Sequence, residues 1–326
     1  MTSSNTDQWQ CPLCGRRVSR RGRASHVRFH KRHQGAVFTP DRRAAHRPMT
    51  LKWYHADTSA VSNSMRETLR AKGPAYYHGR YVTGEYADER TKAKDAGSIA
   101  HEALLCPQGL NGVLAVIPTS ALNEQGHRKG AAWKKWAAEH EGRYHMKQEE
   151  AQPILAMVNA VRRHKTAAHM LDNRLATEYT IYWIDEETGL RLKCRPDLIS
   201  SCPGGVALAD FKVTHHGTLA GFMNQAVDLG YHRQAAFYWK GAEAMGLKVV
   251  VFVFIVVHAA PAYEVLTPFL EEPDYELGEE QNRLTLRDLA QHYQSDVWTP
   301  PGYGELLRVG LPQRAYKEDP WALVKN

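Results

Sequence analysis

Long apolar runs are missing from this chain. The longest uncharged stretch, Val249 to Val257, is β-branched and aromatic and falls well short of the roughly 18 residues that cross a bilayer as a helix. No membrane partner is therefore expected, and the polar opening residues, which carry no signal-peptide core, place the protein in the cytoplasm. Cysteine is scarce and odd in number, 5 in 326 residues, which argues against a disulfide framework and fits a reducing compartment. Acid is nearly absent from the first 50 residues, where 11 Lys+Arg face only Asp7 and Asp41. The resulting local net of +9 exceeds the +7 of the whole chain, so everything after residue 50 is slightly acidic. A local arginine-rich surplus marks a polyanion such as nucleic acid as partner, or else a solvated basic tail.

What is present is ample core material: 43% hydrophobic and 10% aromatic side chains suit one large domain or two modest ones. The stretch Arg191 to Thr214 reads as a hairpin. Leu190, Leu192 and Cys194 alternate with Arg191, Lys193 and Arg195, the cluster Ser200 to Gly205 breaks the pattern, and the apolar run Val206 to Val213 resumes it. Asp210 and Lys212 are two residues apart and project from one face, and the turn brings Asp197 back towards them. Two converging carboxylates make an open site for a hard divalent cation, and a lysine beside them suits metal-assisted hydrolysis of a phosphodiester. A D-x-K triplet also arises by chance about once in a chain of this length, as an ion pair on a sheet edge, so the rest of the chain must decide.

The basic N-terminus contains Cys11, Cys14, His26 and His30 in a C-x2-C-x11-H-x3-H array. Two thiolates and two imidazoles suit tetrahedral Zn²⁺, and histidines four apart share a helix face. The array resembles a C2H2 zinc finger, with Trp9 and Val18 at hydrophobic positions. It departs from that pattern in its spacing of 11 residues and in offering Ala24 near the place of a core leucine, while His33 is an alternative ligand. Arg16, Arg17, Arg20, Arg21, Arg23 and Arg28 are the candidate DNA contacts of such a module, which equally suits docking of a partner protein. Residues 1–34 are thus read as the finger, 35–57 as a linker, and 58–326 as the main domain.

Within the main domain, Ser62-Asn63-Ser64 caps a helix that Gly73-Pro74 should stop. Tyr76, Tyr77, Tyr81 and Tyr86 among basic residues are read as a packing layer in preference to a base-stacking one. Gly97 to Leu105 is helical, with His101 one turn after a glycine that suggests close approach of another backbone. Residues 125–141, with Trp133, Trp136, Arg128, Lys129, Lys134 and Lys135, read as an amphipathic scaffold helix, and 148–164 as another. Glu178 to Asp185 alternates as a strand, so Glu178 is expected in the same sheet as Asp197 and Asp210. Helices follow over 218–229 and 231–244, the second placing Gln234 and Tyr238 on one face. Lys248 to His258 reads as a strand buried on both faces, and a terminal helix spans 276–293. The order helix, antiparallel hairpin, helix, buried strand indicates an α/β fold with a mixed sheet.

Gly97-x3-His101, Asp197 after Arg195-Pro196, Asp210-Phe211-Lys212 and Gln234-x3-Tyr238 together resemble, in order and approximate spacing, the PD-(D/E)XK nuclease superfamily. The branch they resemble is the phage recombination exonucleases of the RecE type, with RecB-family nuclease domains as wider relatives. The resemblance covers about Ser62 to the C-terminus. The third motif carries Asp210 where many relatives have glutamate, and Cys106, Cys194 and Cys202 are too scattered for the iron–sulfur cluster of some relatives. The resemblance implies a restriction-endonuclease-like core, a central mixed β-sheet flanked by helices. It implies that His101, Asp197, Asp210 and the Phe211 carbonyl hold Mg²⁺ or Mn²⁺ and that Lys212 orients or activates the attacking water. It further implies that Glu178 supports a second metal or that water, and that Gln234 and Tyr238 bind the DNA backbone or brace Lys212. Such enzymes digest linear duplex DNA in the 5′ to 3′ direction in a bacterial host cell, often as ring-shaped homo-oligomers. They hand the exposed strand to a single-strand annealing recombination protein. Two other readings stay open: a structure-specific or defence endonuclease on the same fold, and a non-catalytic zinc-finger DNA-binding adaptor.

Overall fold

A computed structural model describes residues 8–10, 17–19, 44–46, 51–86, 96–106, 109–300 and 302–310. The expected zinc ligands Cys11, Cys14, His26 and His30 lie outside these residues, as do Arg16, Arg20, Arg21, Arg23 and Arg28. Of the N-terminal segment, β1 (Gln8–Gln10) pairs antiparallel with β2 (Arg17–Ser19), Trp9 opposite Val18. The stretch expected as linker contributes β3 (Ala44–His46) and α1 (Leu51–Ala56).

After β4 (Val61–Ser62), Ser62 opens α2 (Asn63–Tyr77), its hydroxyl accepting from the Met65 amide at 3.2 Å. The expected stop at Gly73-Pro74 is a kink instead. Gly73 takes φ +79°, and the helix resumes at Pro74, which needs no amide partner in a first turn. Of the tyrosines read as a packing layer, Tyr77 is fully buried and Tyr76 and Tyr81 partly so, whereas Tyr86 is exposed. Next come α3 (Ala96–Leu105), α4 (Leu110–Val113), β5 (Leu114–Val116), α5 (Gly130–Glu139) and β6 (Tyr144–Met146). Helices α6 (Gln148–Arg163) and α7 (Lys165–Asp172) lead into β7 (Arg174–Thr177), β8 (Ile181–Ile184) and β9 (Arg191–Cys194). Strands β10 (Leu198–Cys202) and β11 (Gly205–Thr214) are followed by α8 (Leu219–Leu229) and α9 (Tyr231–Ala244). The chain then forms β12 (Val249–His258), β13 (Val265–Leu266) and α10 (Glu272–Ser295).

The main sheet has the order β13-β12-β11-β10-β7, with β11 and β12 parallel and the other neighbours antiparallel. Period-two alternation along β12 sends Phe252, Phe254 and Val256 to one core and Val253, Ile255 and Val257 to the other, so this strand is covered on both faces as its composition requires. One cover is α2, α9 and α10; the other is α3, α6 and α7. This mixed sheet between helical layers is the PD-(D/E)XK-like arrangement expected.

The structure corrects the expected hairpin. Its first strand is split: Arg191–Cys194 is β9 in a second sheet of order β3-β8-β9-β4, and the partner of β11 is β10. Pro196 lies at the break, where a residue without an amide hydrogen cannot continue a ladder. The pairing of β10 with β11 runs through Ser200 and Ser201 to Cys202, so the turn is tighter than the serine cluster suggested. The strand expected over Glu178–Asp185 begins only at Ile181 and belongs to the second sheet. Glu178 itself sits at the end of β7, where its amide donates to the Asp197 carbonyl at 2.9 Å, so it still abuts the sheet of Asp197 and Asp210.

Candidate active site

The site forms where β10 and β11 part. Their pairing ends at Leu198 opposite Ala209, and beyond that point the β10 side of β11 has no strand partner among the described residues. The Asp197 side chain takes its place: Oδ2 accepts the Phe211 amide at 2.8 Å. Because the N–H and C=O of a strand residue share an edge, the Phe211 carbonyl leaves towards the same side.

Helix α3 can lie against this end of β11 because Gly97 has no Cβ; one built there would fall 3.0–3.2 Å from the Val213 side chain. The close approach inferred from that glycine is real, though it is made by a side chain and not a backbone. One turn later His101 stands edge-on to Phe211, with ring centroids 6.0 Å apart, and its Nε2 is 2.8 Å from Asp197 Oδ2.

Asp210 and Lys212 share the other face of β11, as their spacing dictates. There Gln234, on the first turn of α9, bridges them: its Nε2 donates to Asp210 Oδ1 at 2.6 Å and its Oε1 accepts from Lys212 Nζ at 3.0 Å. Lys212 Nζ is also 2.5 Å from Asp210 Oδ2 and 4.4 Å from the Tyr231 ring centroid. Both oxygens of this buried carboxylate are thus engaged, Oδ1 by Gln234 and Oδ2 by the Lys212 ammonium. Tyr238, one turn beyond Gln234, is buried against Phe252.

Glu178 completes the group. Its backbone is left-handed at φ +51°, a conformation costing a non-glycine residue about 1–3 kcal/mol. Its side chain is ion-paired to Arg195 Nε, and Arg195 Nη1 donates to Thr180 Oγ1 at 2.9 Å. His101, Glu178 and Asp197 each offer a ligand atom within 4.8 Å of the others. Among the described residues this is the group so arranged, whereas Asp210 spends its oxygens on Gln234 and Lys212. Sequence reasoning quoted Arg195 as the flank of the Asp197 motif but gave it no role; its position two before Asp197 was the available signal.

The charges are mutually dependent. Burial alone would push the His101 imidazole down, but Asp197, with smaller contributions from Glu178 and Asp210, raises it to about 9. Asp197 is held below the usual carboxylate range: burial opposes ionisation, and His101, Lys212 and the Phe211 amide outweigh it. Asp210 is pushed up to about 6, chiefly by burial and further by Asp197, with Lys212 opposing. Burial works against the charge on Lys212 too, yet Asp210, Tyr231 and Asp197 together raise it. The His101 imidazole and the Glu178 and Asp197 carboxylates, with Asp210 buried close by, form a donor set that fits a divalent cation.

A family model described as “PDDEXK-like domain of unknown function (DUF3799)” matches residues 70–299. The chain belongs to this family. Among solved structures it is similar to a protein of Eubacterium rectale described as a “Putative exonuclease”, with 13% identity and a TM-score of 0.52 over 83% of this chain and 99% of that one. At that identity the likeness establishes the fold alone. A Vibrio cholerae protein aligns at 10% identity and a TM-score of 0.21 over 79% of this chain and 60% of that one, too low to carry weight. No curated protein matches the chain. The PDDEXK-like family and the acid, histidine and lysine gathered at the strand ends together support a nuclease that uses a divalent metal. Among the described residues no helix is long and apolar enough to cross a membrane.

Proposed function

We propose that this PDDEXK-like protein is a Mg²⁺-dependent exodeoxyribonuclease of the RecE type that degrades linear duplex DNA from 5′ to 3′. The observation carrying this reading is the contact chain His101–Asp197–Phe211 amide on one side of β11 and Gln234–Asp210–Lys212 on the other, which unites the four separate sequence motifs. His101, Asp197, Asp210 and the Phe211 carbonyl would hold the cation, with Glu178 beside His101 and Asp197. When bound, such an ion lowers the pKa of its water and neutralises charge growing on the phosphate.

The protein's own part is positional. Lys212, kept charged by Asp210, presents its ammonium to the attacking water or a phosphate oxygen. Gln234 fixes the Lys212 rotamer by holding the carboxylate it pairs with, so the ammonium is aimed before substrate arrives. Arg195 holds Glu178 in its strained position. Tyr238 is packed too deeply to meet DNA and supports the helix that carries Gln234. The proposal extends to residues 58–326 as the nuclease unit, a ring-shaped homo-oligomer, transfer of the exposed strand to a single-strand annealing protein, and zinc held by Cys11, Cys14, His26 and His30 in the basic N-terminus.

The test is digestion of end-labelled linear duplex DNA beside a closed circle, in Mg²⁺ or EDTA, by wild type, Asp210→Ala and Lys212→Ala. Loss of the linear form only, requiring metal and absent in both variants, is expected, and the labelled end reports polarity. Cleavage of the circle would replace this reading with an endonuclease on the same fold.

A further inference from the structure

The 125–141 segment, expected as a scaffold helix, packs into no core. Helix α5 spans only Gly130–Glu139 and has no buried residue. What holds it is a stack of rings. Trp136 lies 4.2 Å from His140 at 18°, 5.7 Å from Trp133 at 27°, and meets His145 of β6 edge-on at 5.1 Å. Stacked and edge-on ring contacts of this kind orient a short helix on a strand without a core beneath it. Strand β6 is in turn fixed beside the site: the Tyr144 hydroxyl donates to Glu102 Oε2 at 3.2 Å, and Glu102 follows His101 on α3.

Mounted this way, the helix displays Lys134 and Lys135 to solvent, and neither has an ion-pair partner among the described residues. The loop before it adds a shallow depression of about 420 Å³ lined by Gly126, His127, Arg128, Lys129 and Lys147, with no acid among its lining residues. Arg128 reaches Glu150 at its edge. Between Glu124 and Glu139 the chain carries Arg128, Lys129, Lys134 and Lys135 and no acid, although Glu139, Glu141, Glu149 and Glu150 follow, so the cations are grouped at the hollow and on the first turns of the helix. An uncovered helix with unpaired lysines and a cation-lined hollow complement a regularly spaced polyanion.

We infer that this lobe is a DNA-binding ledge, on which Lys134, Lys135, Lys129 and Lys147 hold the phosphate backbone of duplex DNA next to the site that cuts it. The inference rests on the nuclease reading and names a surface by which substrate is gripped. Lys134 and Lys135 engage phosphates and touch no reacting atom. The ring stack sets where they stand.

The test is equilibrium binding of a fluorescent linear duplex of about 30 base pairs to the full chain in EDTA, followed by anisotropy from about 50 to about 200 mM salt. Lys134→Glu/Lys135→Glu should lose about tenfold or more in affinity and flatten the log–log salt dependence by about one to two, since each phosphate contact contributes roughly 0.9 to that slope. Lys134→Arg/Lys135→Arg should bind as wild type. A control pair at the far end of the sheet, Lys240→Glu/Lys248→Glu, should change affinity much less. Wild-type affinity and slope in the Lys134/Lys135 charge reversal, or an equal loss in the control pair, overturns the ledge and leaves the nuclease reading intact if digestion persists. Salt-dependent binding that is lost on charge reversal, with no digestion by wild type, keeps the ledge and sinks the nuclease reading. Failure of wild type to bind duplex DNA at all ends both. A change in oligomeric state with DNA affinity untouched would make the lobe a protein contact and also overturn the inference.

Discussion

Two lysines among the described residues lie largely inside the protein, and their surroundings give them opposite properties. Lys193 is 1% exposed on β9, and its ammonium donates to the carbonyl oxygens of Tyr54 and Asp57 while lying 4.4 Å from the Tyr54 ring centroid. Lys212 keeps 18% of its side chain exposed on β11 and faces Asp210 and Gln234. Burial pushes Lys193 down to about 8, only partly resisted by Asp57. The same burial penalty at Lys212 is overturned by Asp210, Tyr231 and Asp197, and its affinity for a proton rises. A lysine enclosed mainly by neutral dipoles is thus a clasp that ties the chain before β4 to the second sheet. One enclosed by carboxylates is a permanent cation aimed at an opening.

The sharpest way to break this contrast is to remove each ammonium in turn. Lys212→Ala should leave the thermal midpoint within a few degrees of wild type and reduce kcat on linear DNA by about 10³-fold, the scale of losing an aimed charge at a developing anion. A rate within tenfold of wild type would make Lys212 as structural as Lys193. Lys193→Met should leave the chemistry alone and change the pH profile of stability. Between about 8 and its ordinary value of 10.5, Lys193 binds fewer protons in the folded protein than in the unfolded chain, so wild-type stability gains relative to the variant as pH rises. The gain should be on the order of 2–3 kcal/mol by denaturant titration at pH 7 and pH 10. Parallel profiles would mean that the clasp carries no titrating charge. The smallest effect is expected at Gln234→Ala, which leaves Lys212 paired but loosely aimed. About tenfold in kcat with KM unchanged is expected, and Gln234→Glu should not restore it because the Lys212 contact would then compete with Asp210.

The same contrast shows what the chain could reveal unfolded. Asp210, Lys212, Gln234 and His101 were legible because their spacing, two along a strand and one turn along a helix, is imposed by elements that form where composition says they should. Lys193 was not. Alternation placed it with Arg191 and Arg195 on the polar face of its strand, which is correct, and nothing local announces that Tyr54 and Asp57 come from over 130 residues away to cover that face. Glu178 was named from the sequence, but its strain and its pairing with Arg195 were hidden for the same reason, since Pro196 moves the chain from one sheet to another where the pattern reads as a single strand. Trp133 and Trp136 misled in the reverse direction. Their three-residue spacing means burial only where another element covers them, and against α5 the His145 ring of β6 leaves both tryptophans only half-buried.

Where β10 ends, a carboxylate stands in for the missing strand and holds the Phe211 amide at 2.8 Å. That substitution makes one backbone proton a spectator of the whole site. Whatever draws on Asp197 Oδ2, a cation, a proton or a substrate phosphate, must change the environment of that single amide. Its resonance can therefore be followed as a titration signal even in a variant that cuts nothing. A Phe211 amide shift that saturates with Mg²⁺ in Lys212→Ala would separate the loading of the centre from its chemistry.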